Sequence, residues 1–181
     1  MIKRLLFLCW LLAISTNAYI YNDSLLLIYA KIVPKIMILD HTERENGPSS
    51  PILCILYEKG DRRTAVKLRE LILANLPKNG KNSLRIVTKP YSQTEKCEEV
   101  SAFLLLNTGA ERVKKAIGFA KKRQLLSFAY DSNMLDYGAI VSLHAGKRVY
   151  PLVNIDAIKQ NRLRLDPLLF QVAKIYRGGG S

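Results

Sequence analysis

The sequence predicts an α/β fold: a mixed, largely parallel central sheet flanked by helices, with a C-terminal antiparallel hairpin and a terminal helix. Three observations carry this. Residues 52–57 and 102–106 are apolar without interruption, as strands covered on both faces are. Each is followed by a segment with apolar residues at helical spacing, long enough for a parallel crossover. Ala145-Gly146-Lys147 then separates two strand-like runs by a turn, the signature of a hairpin.

Asn22, Asp23 and Ser24 form a helix start, and Leu25, Leu26, Ile28, Tyr29, Ile32 and Val33 supply its apolar positions. Pro34 is expected to bend or end that helix, because it offers no N–H. Residues 35–39 are then left for a short strand. Residues 41–50 are polar, hold Gly47 and Pro48, and read as a loop. After strand 52–57 the chain turns at Gly60-Asp61. A helix over 63–76 follows, with Ala65, Leu68, Leu71 and Ile72 inward and Pro77 as its stop. Residues 78–81 are a loop, and 84–87 and 102–106 are strands. The stretch 109–122 is a basic amphipathic helix with Val113, Ala116, Ile117 and Ala120 inward, and 125–129 is a strand. Asp131, Ser132 and Asn133 cap a short helical turn. Residues 139–143 and 148–153 form the hairpin, and 154–160 a short helix. Gly138 opens the hairpin where a turn wants no side chain, and Asn154 ends it where its side chain can cap the next helix. Asp166 and Pro167 start a last helix carrying Leu168, Leu169, Val172, Ala173 and Tyr176.

The N-terminus reads as an export leader. Lys3 and Arg4 precede an apolar run over residues 5–14, and Ser15-Thr16-Asn17-Ala18 gives a polar, small-residue exit with cleavage after Ala18. The alternatives are a buried helix or an uncleaved anchor. Cys9 follows Leu6-Phe7-Leu8, where lipid attachment would need a small residue, so it leaves with the leader. No apolar run reaches the roughly 18 residues of a transmembrane helix. The expected organisation is therefore a signal peptide over 1–18, a single domain over 19–177, and a flexible tail, Gly178-Gly179-Gly180-Ser181, resembling a linker.

Two cysteines, Cys54 and Cys97, remain after processing. An even number in an oxidising compartment suggests one disulfide, with two separate buried thiols as the alternative. The bridge would close a loop of 43 residues, for which chain entropy gives about 4 kcal/mol as an upper guide. Their spacing is neither a redox Cys-x-x-Cys nor a zinc pattern.

The 181-residue chain holds 28 Lys+Arg against 15 Asp+Glu, a net charge of +13 that becomes +11 without Lys3 and Arg4. At 49% hydrophobic residues it is too apolar for a disordered chain. His41 and His144 stand apart from any Cys or carboxylate at metal-ligand spacing. Gly60 and Gly80 lack the surroundings of a phosphate loop. Glu98-Glu99 and the pair Asp131/Asp136 read as surface or caps. Catalysis, a metal and a cofactor are therefore not expected. Basic residues cluster at Lys114, Lys115, Lys121, Lys122 and Arg123, with Lys147/Arg148 at the hairpin turn and Arg162/Arg164 beyond. Nucleic acid is excluded by export and by the lack of interleaved aromatics. Solvated surface, an acidic protein partner or anionic lipid headgroups explain the charge. The helix cluster and Lys147/Arg148 are the candidate partner-binding residues.

The stretches Leu125-Leu126-Ser127, Tyr137-Gly138-Ala139-Ile140-Val141 and Tyr150-Pro151-Leu152-Val153-Asn154-Ile155 resemble the YfiR family of small periplasmic proteins. So does Ile28-Tyr29-Ala30-Lys31 in the first helix, and the resemblance spans roughly 24–177. Tyr137 stands where members carry the first Gly of a Gly-Gly pair. Family members often pair two cysteines at the places of Cys54 and Cys97. The resemblance implies a regulator that acts by binding. Such proteins hold down an inner-membrane diguanylate cyclase, and hence cyclic di-GMP, by binding its periplasmic sensor. The expected partner is thus an inner-membrane sensor protein, a cyclase or kinase. The alternatives are a structural subunit in a larger envelope assembly (secretion system, pilus or flagellar motor), a solute-binding module at the carboxyl ends of the strands, and, for self-association, a homodimer.

Overall fold

The computed structural model describes residues 19–43, 50–77, 84–97 and 99–177. The expectations for 1–18, 44–49, 78–81, Glu98 and 178–181 lie outside the described residues. In chain order the elements are α1 (Asp23–Ile38), β1 (Ile52–Tyr57), α2 (Arg62–Asn75), β2 (Arg85–Pro90), β3 (Ala102–Leu105), α3 (Ala110–Lys122), β4 (Leu126–Ala129), β5 (Val141–Ala145), β6 (Val149–Asn154), α4 (Ile155–Gln160), α5 (Pro167–Val172) and β7 (Lys174–Tyr176). Short 3-10 helices at Lys59–Asp61, Tyr91–Lys96 and Ser132–Tyr137 join them.

The strands form one sheet in the order β2-β1-β3-β4-β5-β6-β7. The first five are parallel, β6 runs antiparallel to β5, and β7 lies parallel to β6. The order 2-1-3-4-5 is a doubly wound one, reversing direction between β1 and β3. Right-handed crossovers then send α2 and α3 to opposite faces, because one step goes left and the other right. Period-two alternation divides the strands between two cores. Leu53, Ile55, Leu104 and Phe128 meet α1 and α2, while Cys54, Leu56, Phe103 and Leu105 meet α3. All six residues of β1 are buried, as its unbroken apolar run requires.

Three expectations are corrected. Pro34 does not end α1, and residues 35–39 are not a strand: the helix runs on to Ile38. Val33, Pro34, Ile36 and Met37 are all buried on its inner side, and that packing outweighs the one main-chain bond proline cannot make. The last helix stops at Val172, and residues 174–176 leave it as β7, paired from Leu152↔Lys174 to Asn154↔Tyr176. Only Leu169 anchors that short helix in the core, so three residues gain more by pairing with β6. The strand expected over 84–87 extends to Pro90; as an edge strand it tolerates Thr88 and Lys89 half-exposed.

Gly138 ends the turn Ser132–Tyr137 at φ 96°, and a Cβ there would stand 3.3 Å from Ile117 Cγ2. Gly138→Ala is expected to cost about 1–2 kcal/mol, read as a lower urea midpoint at unchanged slope. An alanine variant of equal stability would contradict this assignment. Asn154 caps α4 by accepting from Ala157 N–H (2.9 Å) and donates its amide to Leu135 O (2.9 Å).

Candidate functional site

Two places hold the chemistry-bearing side chains. The first is the thiol pair. Cys54 lies in the middle of β1, on the α3 face, fully buried. Cys97 follows the 3-10 helix Tyr91–Lys96, its N–H bonded to Thr94 O at 3.1 Å. That helix is fastened by Tyr91, whose hydroxyl donates to Leu106 O at 2.6 Å. The described species are two thiols with Sγ atoms 2.7 Å apart. The thiol hydrogen bond and burial push Cys54 up. The same bond holds Cys97 below the ordinary thiol range, with Lys89 assisting. Cys97 also borders a cleft of about 450 Å³ whose rim carries Arg85, Lys89 and Lys96. Of the two sulfurs, Cys97 is the one beside this cleft.

The second place is the crevice where the sheet order reverses, at the carboxyl ends of β1 and β3. Doubly wound sheets bind ligands there. Here Tyr21, from the chain's own segment 19–22, reaches across it. Tyr21 donates its hydroxyl to Asp61 Oδ2 (3.0 Å) and accepts from Asn107 N–H (3.0 Å). Tyr19 N–H donates to Asp61 Oδ1 (3.1 Å), and Asn22 N–H to the Tyr130 hydroxyl (3.0 Å). Tyr130 packs edge-on to Tyr21, with ring centroids 5.0 Å apart, and stacks on Tyr29 at 5.4 Å. Burial pushes both the Tyr21 hydroxyl and the Asp61 carboxyl up, Glu58 adding to the rise at Asp61. Glu58 itself takes the Thr108 hydroxyl and the Arg112 guanidinium. The side-chain oxygen of Asn107 is buried with no hydrogen-bond partner among the described residues.

The basic candidates are not gathered into one patch. Lys114 pairs with Glu111 (3.0 Å) and lies over the Tyr137 ring, and Lys115 pairs with Glu95 (3.0 Å). Lys121 donates to Gln160 Oε1 (3.2 Å), Arg123 stands over Phe119, and Lys122 is exposed. These last three end α3, where the parallel strands begin. Lys147 and Arg148 are exposed at the opposite end. There β5 and β6 overhang the sheet, since Leu143, His144 and Ala145 pair only with β6 while the β4–β5 ladder ends at Ala129↔Ser142. His41 contacts Asp166 (3.4 Å), and His144 stacks on Tyr150 at 4.8 Å. Among the described residues no group of His, Cys, Asp and Glu could hold a metal.

Sequence reasoning passed over Asp61, Tyr21 and Tyr130. Asp61 reads as a turn residue, and no local pattern singles out the two tyrosines. The signal that finds them is the strand order, which no local pattern shows.

Comparison with known families places this fold. The sequence profile described as YfiR/HmsC-like matches residues 37–174. The chain belongs to that family. No helix among the described residues is long and apolar enough to cross a membrane. No curated protein matches the chain. Two solved structures share the fold of this YfiR/HmsC-like chain. One is a conserved domain protein from Vibrio cholerae O1 biovar El Tor, at TM-score 0.60 and 15% identity over 84% of this chain. The other is an ABC domain from Streptococcus pneumoniae solved with L-Trp, at TM-score 0.61 and 11% identity over 81% of this chain. The chain spans 60% of the length of each.

Proposed function

We propose that the mature chain, residues 19–177, is a periplasmic adaptor that holds down an inner-membrane signalling protein, a diguanylate cyclase or kinase, by binding its periplasmic sensor part. The observation that carries this is the family match over 37–174. In this reading the leader 1–18 is removed during export and residues 178–181 contribute nothing. The adaptor shifts its partner only by binding the inactive state more tightly than the active one. Cys54 and Cys97 join as a disulfide in the oxidising periplasm, and the redox state of that bond tunes the stability of the binding fold. The hairpin carrying Lys147 and Arg148 offers an overhanging, positively charged edge to an acidic partner surface. A solute-binding role has less support, because Tyr21 stands in the crevice such folds use.

The test is a crosslinked pull-down of the mature protein from its native envelope, followed by mass spectrometry. Recovery of an inner-membrane protein with a cytoplasmic GGDEF or kinase domain is the expected result. Stoichiometric recovery of one large envelope machine would replace the adaptor with a structural subunit, and recovery of the chain alone would leave self-association as its interaction. With the partner in hand, K147E/R148E is expected to weaken association about tenfold and to flatten its salt dependence. Unchanged affinity would remove the hairpin from the interface.

A further inference from the structure

Asp61 stands just before α2, where an aspartate ordinarily accepts a hydrogen bond from the first turn of the helix. It does not: no side-chain cap bond is made, and the carboxylate turns to residues 19–21 instead. It is 2% exposed. Among the described residues no Lys, Arg or His forms an ion pair with it. A buried carboxylate that meets only neutral donors is costly. One of those donors is the backbone nitrogen of Tyr19, the residue that follows the expected cleavage point.

We propose that Asp61 is the internal counter-ion for the α-ammonium group that cleavage between Ala18 and Tyr19 creates, so that processing locks the N-terminal segment over the crevice between β1 and β3. The proposal rests on the reading of residues 1–18 as a cleaved leader. A signal peptidase hydrolyses the Ala18–Tyr19 amide with one water. The C–N bond breaks, hydroxyl joins the Ala18 carbonyl to give the leader's new carboxylate, and the Tyr19 nitrogen takes up protons to become –NH₃⁺. A single N–H donor at 3.1 Å from Asp61 Oδ1 thereby becomes a charged one at the same place. The two flanking contacts, Tyr21 to Asp61 and Asn22 to Tyr130, hold the new terminus in register. Before cleavage the carboxylate lacks its cation and the segment is held by neutral bonds alone. Removal of the leader thus completes the fold at this end of the sheet.

The titratable and charged groups around the pair are Tyr21 on the same segment, Glu58 after β1, Tyr91 after β2, Tyr130 after β4, and Arg112 on α3, which is already engaged by Glu58. An ammonium stabilised by Asp61 has a folded-state pKa above its unfolded value. Its contribution is fully present below the ordinary α-amino range of about 7.7–8.0 and is lost as pH rises through the raised value.

The experiment exports the full chain and first takes its intact mass. A start at Tyr19 is expected; any other start overturns the leader reading, and the ion pair with it. The α-amine is then titrated by pH-dependent acetylation kinetics read on the N-terminal peptide. Its pKa is expected roughly one unit or more above the ordinary range, returning to that range in Asp61→Asn. A second chain, with Gly-Ser added before Tyr19 so that its nitrogen stays an amide, is expected to melt lower at pH 7 and to lack the part of the alkaline loss of stability that sets in just above the α-amino range. It is also expected to lose less on Asp61→Asn. A Tyr19 start with an ordinary amine pKa, or equal melting of the native and extended chains, overturns the ion pair and leaves the leader reading standing.

Discussion

Adding a reductant to the exported protein is expected to lower its melting temperature by roughly 8–16 °C. The figure follows from about 4 kcal/mol for a cross-link closing a long loop, at roughly 2–4 °C per kcal/mol for a chain of this size. Cys54 and Cys97 are 43 positions apart, so the cross-link removes much freedom from the unfolded chain. In the folded state the cost of closure is small, because β1 and the turn after Tyr91–Lys96 already set the two sulfurs 2.7 Å apart inside one core. Cys97→Ala without reductant is expected to melt near the reduced parent, since both lack the link. Oxidised and reduced samples that melt together would mean that the two thiols never join, and the redox part of the proposed function would fall.

Tyr29→Phe is expected to cost about 1–3 kcal/mol, a large effect for one oxygen atom. The hydroxyl is buried and donates to Ala129 O at 2.6 Å while accepting from Leu143 N–H at 3.1 Å. The β4–β5 ladder ends at Ala129↔Ser142, so Tyr29 takes the N–H one residue beyond it. Phenylalanine keeps the ring packing against Tyr130 and leaves that amide unpaired. The measurement is a urea midpoint at constant slope. A loss under about half a kcal/mol would show that water or the Ser142 hydroxyl replaces the oxygen. Burial also pushes the Tyr29 hydroxyl up to about 12. A raised folded pKa contributes stability that is complete below the unfolded value of about 10 and is lost as pH climbs toward 12. The alkaline fall in stability should therefore be shallower in Tyr29→Phe than in the parent.

Most of the sheet was legible because its strands obey simple patterns. Uninterrupted apolar runs marked β1 and β3, Pro77 marked the end of α2, and the turn at Gly146 marked the hairpin. What failed was where tertiary packing overrides local chemistry. Pro34 sits inside α1 because its neighbours Val33, Ile36 and Met37 have a core to enter. Lys174-Ile175-Tyr176 read as helix because the spacing of Leu169, Val172 and Ala173 continued into it. Only the presence of β6 beside it makes it a strand. Number and resemblance relate Cys54 to Cys97 only as an expectation, whereas their shared core is a property of the strand order. The carboxyl ends of the strands were foreseen as a place for a solute, but not the crevice at β1 and β3, nor Asp61 and the tyrosines there. Their partners lie 40 to 108 positions away along the chain, beyond any local pattern.

The strand order leaves β2 and β7 at the two margins of the sheet. On one side β2 carries Arg85 and Lys89 and ends in Pro90, which has no amide hydrogen to offer a newcomer. On the other, β7 is three residues long, and Lys174 folds back over the Tyr150 ring at 4.3 Å. Short, charged or proline-ended margins are poor templates for another strand. The sheet therefore does not invite fibre growth from either side. Another chain gains little by extending this hydrogen-bond ladder at either margin.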